Sequence, residues 1–432
     1  MSYLDSLNEV QRQAVEQTEG PVMIIAGAGS GKTRVLTYRI AHLIRKGVEP
    51  FNILSLTFTN KAAKEMQKRI QAVCGNEAKN VMMGTFHSVF SKILRVEASR
   101  IGFPSNFTIY DTEDSKSMLR TILKEQGLDD KVYKPNTVYN RISAAKNRLV
   151  SYTEYLNNPN FIADDRAALR PEMGKIYKTY QERLIRAGAM DFDDLLFYTY
   201  KLFNDHPDAL NKYQHRFKYI MVDEFQDTNI AQYNITKKLA AMNRNICVVG
   251  DDAQSIYAFR GADIQNILNF EKDYSELKVI KLEQNYRSTK TIVEAANNVI
   301  TKNKAQLKKD VWTSNESGEK INVYRAASDN EEGRIVAQTI FENKMNLQLR
   351  NNDFAILYRT NSQSRSFEES LRKLNIHYKV VGGMSFYQRK EIKDVLAYLR
   401  FVMNDQDEQS FRRIVNFPKR GIGDTTIAKI FV

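Results

Sequence analysis

The chain has 432 residues, with 64 Lys or Arg against 51 Asp or Glu, a net charge of +13 and a pI near 9.4. Such a length exceeds one ordinary hydrophobic core and points to roughly three domains, while the positive balance attracts polyanions. Cys74 and Cys247 stand far apart, which excludes a disulfide framework or a Cys-x-x-Cys zinc site and fits a reducing cytoplasm. Five scattered histidines lack metal-ligand spacing. The opening Met1 to Glu9 has neither the basic nor the apolar region of a signal peptide, and no apolar run approaches membrane-spanning length. A soluble cytoplasmic protein is expected.

Short apolar runs alternate with amphipathic stretches, the pattern of an α/β fold with parallel sheets. The first run, Val22-Met23-Ile24-Ile25, enters the glycine-rich loop Ala26-Gly27-Ala28-Gly29-Ser30-Gly31-Lys32-Thr33 and then a helix. A strand, a glycine loop and a helix start in that order aim backbone N–H groups and the helix dipole at a phosphate. Lys32 is then expected on the β- and γ-phosphates, and the Thr33 hydroxyl on Mg²⁺. A second buried strand is expected at Ile53–Leu56. Residues 111–190 read as helical, with Tyr and Lys spread through them.

Tyr219-Ile220-Met221-Val222 reads as a buried strand that ends in Asp223-Glu224-Phe225-Gln226-Asp227-Thr228. An uncompensated acidic pair there is costly, so a cation is expected: Asp223 would hold Mg²⁺, and Glu224 would orient and deprotonate an attacking water. Ile246-Cys247-Val248-Val249 is the fourth expected strand, running into Gly250-Asp251-Asp252-Ala253-Gln254-Ser255-Ile256-Tyr257-Ala258-Phe259-Arg260-Gly261. Because open α/β sheets bind ligands outside the carboxyl ends of their strands, these loops predict one nucleotide crevice. A second α/β pattern is expected from near Val279, with strands at Ile321–Tyr324 and Phe354–Tyr358, before a helical stretch at Lys390–Val402. Residues 281–310 hold seven Lys or Arg against three acids. The apolar end at Ile430-Phe431-Val432, soon after a helix start at Gly423-Asp424-Thr425, is expected to mark a carboxy-terminal truncation.

Together with Gln284-Asn285-Tyr286-Arg287-Ser288, these motifs resemble the UvrD/PcrA/Rep branch of the superfamily 1 DNA helicases. That resemblance implies P-loop NTPase (RecA-like) sheet domains with inserted helical domains. It assigns Gln254 as a γ-phosphate sensor, Arg287 as a charge-stabilising finger, and Gln11 and Tyr286 to the adenine, with Arg34 beside the phosphate loop. Single strands are gripped by basic grooves with aromatic platforms. Phe58, Phe86, Phe192, Tyr257 and Phe259 are the candidate platforms, although core packing is the usual fate of any one aromatic. Asn60, Lys61, Thr85, His87 and Arg260 are the candidate backbone contacts. Relatives often carry tryptophan where Phe259 stands.

By the same resemblance, residues 1–110 and 191–280 form a first RecA-like domain and 111–190 an inserted helical domain. Residues 281–380 begin a second RecA-like domain, and 381–432 begin a further insertion. The implied activity is 3′ to 5′ translocation on single-stranded DNA coupled to Mg·ATP hydrolysis, with unwinding of tailed duplex DNA in repair or replication alongside protein partners. Two other readings compete: a non-unwinding DNA- and nucleotide-binding protein, and the motor part of a helicase-nuclease, for which these residues show no nuclease carboxylate cluster.

Overall fold

The computed structural model describes residues 3–257, 261–303, 306–382 and 386–430. Phe259 and Arg260 of the expected DNA face lie outside the described residues. The strands are β1 (Val22–Ala26), β2 (Ile53–Thr57), β3 (Met82–Thr85), β4 (Thr108–Tyr110), β5 (Ala189–Asp191), β6 (Tyr219–Val222), β7 (Ile246–Gly250) and β8 (Lys278–Leu282). Six of them form one parallel sheet in the order β3-β2-β6-β7-β1-β8.

Alternation along each strand sorts its side chains between two cores. Met23, Ile25, Leu54, Leu56, Ile220, Val222, Ile246 and Val248 enter one, beneath the helices Phe86–Glu97, Phe192–Asp205 and Ile230–Ala240. Val22, Ile24, Ala26, Ile53, Met221, Cys247 and Val249 enter the other, beneath Lys32–Arg45 and Asn60–Cys74. A sheet covered on both faces needs apolar residues at every position, which is why the four expected strands read as continuous apolar runs.

Lys278–Leu282 does not open a second α/β pattern. It pairs in parallel with β1 from Val22↔Lys278 to Ala26↔Leu282 and closes the edge of the first sheet. Only Ile280 and Leu282 of this strand are buried, as an edge position allows.

Residues 112–186 form the helices Thr112–Glu125, Pro135–Asn147, Tyr152–Asn157, Pro159–Ala167 and Met173–Arg186. They close on a core of their own that includes Met118, Ile122, Ile142, Ile176, Tyr180 and Leu184. β4 and β5 pair in parallel, so the chain goes into this helical stretch and comes out of it side by side. Beneath it, the buried Lys146 ammonium lies 2.8 Å from both Asp191 and Asp194. The Tyr110 hydroxyl donates to Asp407 at 2.6 Å, and the Asn404 amide donates to Thr108 Oγ1 at 3.1 Å and to the Ala187 carbonyl at 2.9 Å. Residues 404–407 thereby close the base of the stretch.

The chain divides into two units, Met1–Gly318 with Arg400–Val432, and Glu319–Leu399. In the second, Ser328 caps the helix Asp329–Asn346, and the helix Ser364–Lys373 shares a small core with it through Ala337, Leu371 and Ile376. Ile321–Tyr324 and Phe354–Tyr358, expected as strands, have no ladder partner among the described residues. Val323 is 91% exposed and Leu357 93%. An apolar run becomes a strand only where a neighbour takes up its backbone hydrogen bonds.

Candidate functional site

All six strands of the large sheet release a motif at their carboxyl ends: Gly27–Thr33 after β1, Phe58–Lys61 after β2, Phe86 and His87 after β3, Asp223–Thr228 after β6, Asp251–Gln254 after β7, and Gln284–Arg287 after β8. In the first of these, Gly31 is left-handed (φ 89°), a turn that a side chain would strain. It precedes the helix Lys32–Arg45 with no side-chain cap, so the first amides of that helix are left for an outside acceptor, a setting that suits an anion. Ser30 Oγ closes the loop on the Gly27 carbonyl at 2.7 Å.

The Lys32 ammonium reaches Glu224 Oε2 at 2.9 Å. Glu224 sits in the left-handed region (φ 50°), with its N–H on Asp223 Oδ1 at 3.0 Å, a backbone setting that costs energy and collects at functional sites. Gln226 joins two motifs: its amide donates to Glu224 Oε2 at 2.9 Å, and its Oε1 accepts from the Asp251 N–H at 2.9 Å. Gln254 donates to Asp251 Oδ2 at 2.6 Å. One hydrogen-bonded path therefore runs from Lys32 through Glu224, Gln226 and Asp251 to Gln254.

Burial, then the Glu224 charge, pushes the Asp223 carboxyl up to about 7 against the pull of Lys32. Asp227 is pushed up to about 6 by the same two causes in the same order, and its buried Oδ1 has no hydrogen-bond partner. The Thr33 hydroxyl is also without a partner among the described residues. Carboxylates that resist ionising, an orphaned oxygen, a free hydroxyl and an uncapped helix start together fit a divalent cation carried by a polyphosphate. Among the described residues no three His, Cys, Asp or Glu converge as a metal cage, which suits Mg²⁺ held by few protein ligands and the phosphates.

The sign of the pH dependence follows. Asp223 has a folded pKa near 7 against an ordinary 3.8, so its stabilising contribution is full below about 4 and fades as pH rises through about 7. A cation held by Asp223 would have to displace its proton below that point. The Mg²⁺-dependent part of nucleotide affinity is expected to fall as pH drops from 7 to 6, by up to about tenfold per unit. Titrating nucleotide with and without Mg²⁺ at pH 6, 7 and 8 checks this, and a dependence flat across that range would show Asp223 ionised throughout.

Gln11 is buried, and its amide donates to the Ser30 carbonyl at 2.9 Å while its Oε1 accepts from the Asn8 N–H at 3.3 Å. It braces the phosphate loop from behind. Tyr286 has a half-exposed ring; its hydroxyl accepts from Asn8 at 2.6 Å and donates to Gln284 at 2.8 Å, and its N–H bonds the Gly29 carbonyl at 3.0 Å. Arg34 donates to the Ser6 carbonyl at 2.9 Å. The Arg287 guanidinium is exposed and has no partner among the described residues.

On the DNA side one expectation is overturned. Phe86 is 1% exposed and belongs to the core, because the helix Phe86–Glu97 turns it inward with Val89, Phe90 and Ile93. Phe58 is half-buried against it, with ring centres 5.6 Å apart. Phe192 stays 44% exposed and meets His87 edge to face at 5.9 Å. Burial pushes His87 down to about 4, which leaves the imidazole neutral near pH 7. Asn60 and Lys61 are exposed at a helix start capped by Thr59, Thr85 caps the next helix, and Tyr257 is 38% exposed.

Gln226, Asp227, Asp251 and Asn285 were not among the expected site residues, although all four lie inside the quoted motifs. Asn285 donates to the Ala28 carbonyl at 2.7 Å and accepts from the Arg287 and Ser288 N–H groups at 2.8 Å each, so it ties the arginine segment to the phosphate loop.

Comparison with known proteins places this geometry. Residues 7–275 match the UvrD/REP helicase N-terminal domain, and residues 280–431 match the UvrD-like helicase C-terminal domain. Over 428 residues, 99% of the chain, it is 50% identical to the ATP-dependent DNA helicase PcrA of Bacillus subtilis. The PcrA helicases of Staphylococcus epidermidis and Staphylococcus aureus are 50% and 49% identical over 98% and 99% of the chain. The chain spans 57–58% of the length of these relatives. No described helix is long and apolar enough to cross a membrane. With both family domains matched from end to end of the chain and their motifs gathered on one sheet, the chain belongs to the UvrD/REP helicase family.

Proposed function

We propose that the chain is the motor portion of an ATP-dependent DNA helicase, binding Mg·ATP at the carboxyl end of the large sheet and stepping 3′ to 5′ along single-stranded DNA to open tailed duplexes. The hydrogen-bonded path from Lys32 to Gln254 carries this reading, since it joins a phosphate-binding lysine, a base and a γ-phosphate sensor. Asp223 and Thr33 would hold Mg²⁺, which when bound supplies charge for the phosphoryl oxygens. Glu224 orients the attacking water and takes its proton, while Gln226 keeps that carboxylate in place. Arg287 neutralises charge that develops on the transferred group. The domain division set out from the sequence, work in repair or replication, and a cytoplasmic setting belong to the same proposal. An ATPase assay with and without single-stranded DNA tests it: stimulated turnover is the expected result.

The exposed apolar residues Ile321, Val323, Tyr324 and Leu357 favour a second reading, in which this chain binds DNA and nucleotide without unwinding. Nucleotide binding with no DNA-stimulated turnover would select it.

For the DNA track, single strands are expected to bind better than duplex, with affinity falling steeply as salt rises. Phe259→Ala is expected to cost about 1–3 kcal/mol of single-strand affinity with little change in salt slope, because stacking releases no counterions. Salt titrations of both proteins check this, and unchanged affinity would return Phe259 to a packing role.

A further inference from the structure

We propose that Lys309 is a positioning residue for the γ-phosphate sensor, holding Gln254 in register through Asp251. The proposal rests on the nucleotide reading above and adds a residue that the expected motifs leave out.

The Lys309 ammonium is buried 2.8 Å from Asp251 Oδ1 and 2.5 Å from Asp252 Oδ1. Its two partners are the first residues beyond β7, and the other Asp251 oxygen accepts the Gln254 amide at 2.6 Å. Lysine, carboxylate and sensor thus form one line. Burial opposes the charge on Lys309, yet the hydrogen bonds to Asp251 and Asp252 raise its pKa, so the ammonium stays charged.

Neighbouring residues fix the same stretch of chain. The Leu307 N–H donates to Asp252 Oδ2 at 2.7 Å, and the Asp310 N–H donates to Glu283 Oε1 at 3.0 Å. Val311 packs over the phosphate loop: a Cβ on Gly27 would fall 2.6 Å from its Cγ2. The Trp312 carbonyl accepts from the Asn285 N–H at 2.7 Å, and Asn285 in turn braces Arg287. Residues 307–313 therefore form a strap over the carboxyl ends of β7, β1 and β8, and Lys309 is its fastening to the sensor motif.

Two effects make the lysine matter for a triphosphate in particular. It fixes the carboxylate that orients Gln254, and it cancels one of two adjacent negative charges that would otherwise repel the γ-phosphate. A diphosphate, with no γ-phosphate, would gain from neither.

The test measures Mg²⁺-dependent binding of fluorescent ATPγS and ADP to the full 432-residue chain. Lys309→Met should weaken ATPγS by about five- to tenfold and leave ADP within about twofold, as Gln254→Ala should. The double variant Lys309→Met/Gln254→Ala should be no weaker than Gln254→Ala alone, because two residues on one path are not additive. Lys309→Met strands two buried carboxylates, so Lys309→Met/Asp252→Asn, which keeps the net charge of the cluster and isolates the orientation of Gln254, carries the ATPγS-against-ADP comparison if the single variant does not fold. Equal loss for both nucleotides, no loss for either, or additivity with Gln254→Ala overturns the proposal and leaves the nucleotide reading intact. A wild-type chain that binds neither nucleotide overturns both.

Discussion

Glu224→Gln is expected to bind nucleotide at least as tightly as the native chain and to turn it over about 10²–10⁴-fold more slowly. The amide keeps the shape of the side chain and still accepts one hydrogen bond, but it cannot take a proton from water. It also frees Lys32, whose ammonium lies 2.9 Å from Glu224 Oε2, for the phosphates. Pre-steady-state hydrolysis in excess enzyme checks this. Turnover within a fewfold of native would move the base elsewhere in the cluster, with Asp227 the first candidate because its Oδ1 is unpartnered.

Lys32→Ala should act on binding instead. Losing a charge-assisted contact to the phosphates costs on the order of 2 kcal/mol or more, about a thirtyfold weakening. Without the ammonium, the charge that pulls the Asp223 carboxyl downward also goes, so this group should be harder still to ionise. Calorimetry on both proteins decides, and equal affinities would sink the assignment of the loop to phosphate.

How far the sequence could be read follows from what each residue depends on. Lys32, Thr33, Asp223 and Glu224 lie at the ends of apolar runs, and a strand that stops at a polar motif is visible in one dimension. Gln226 and Lys309 are ordinary polar residues whose meaning comes from strands distant in the chain: Gln226 from Asp251, 25 positions on, and Lys309 from Asp252, 57 positions back. Phe86 was misread because a Thr-Phe-His run looks the same whichever way the following helix is turned, and the helix turns Phe86 toward Phe90 and His87 toward Phe192. β3, β4 and β5 are too short to show a period. Ile321–Tyr324 and Phe354–Tyr358 erred the other way, with apolar content enough for strands but no ladder partner among the described residues.

The hydrogen bond from Tyr110 to Asp407 joins residues 297 positions apart. A ribosome adding about 5–20 residues per second needs about 15–60 s between the two. In that interval β4, β5, the five helices between them and the whole parallel sheet have left the exit tunnel, while the Tyr110 hydroxyl, Thr108 and the Ala187 carbonyl still lack the groups that later cover them. The nascent chain therefore carries an open polar seam at the base of its helical stretch until Asn404 and Asp407 arrive. Until then those polar groups are satisfied by water alone, so the base of the helical stretch is the last part of this unit to close.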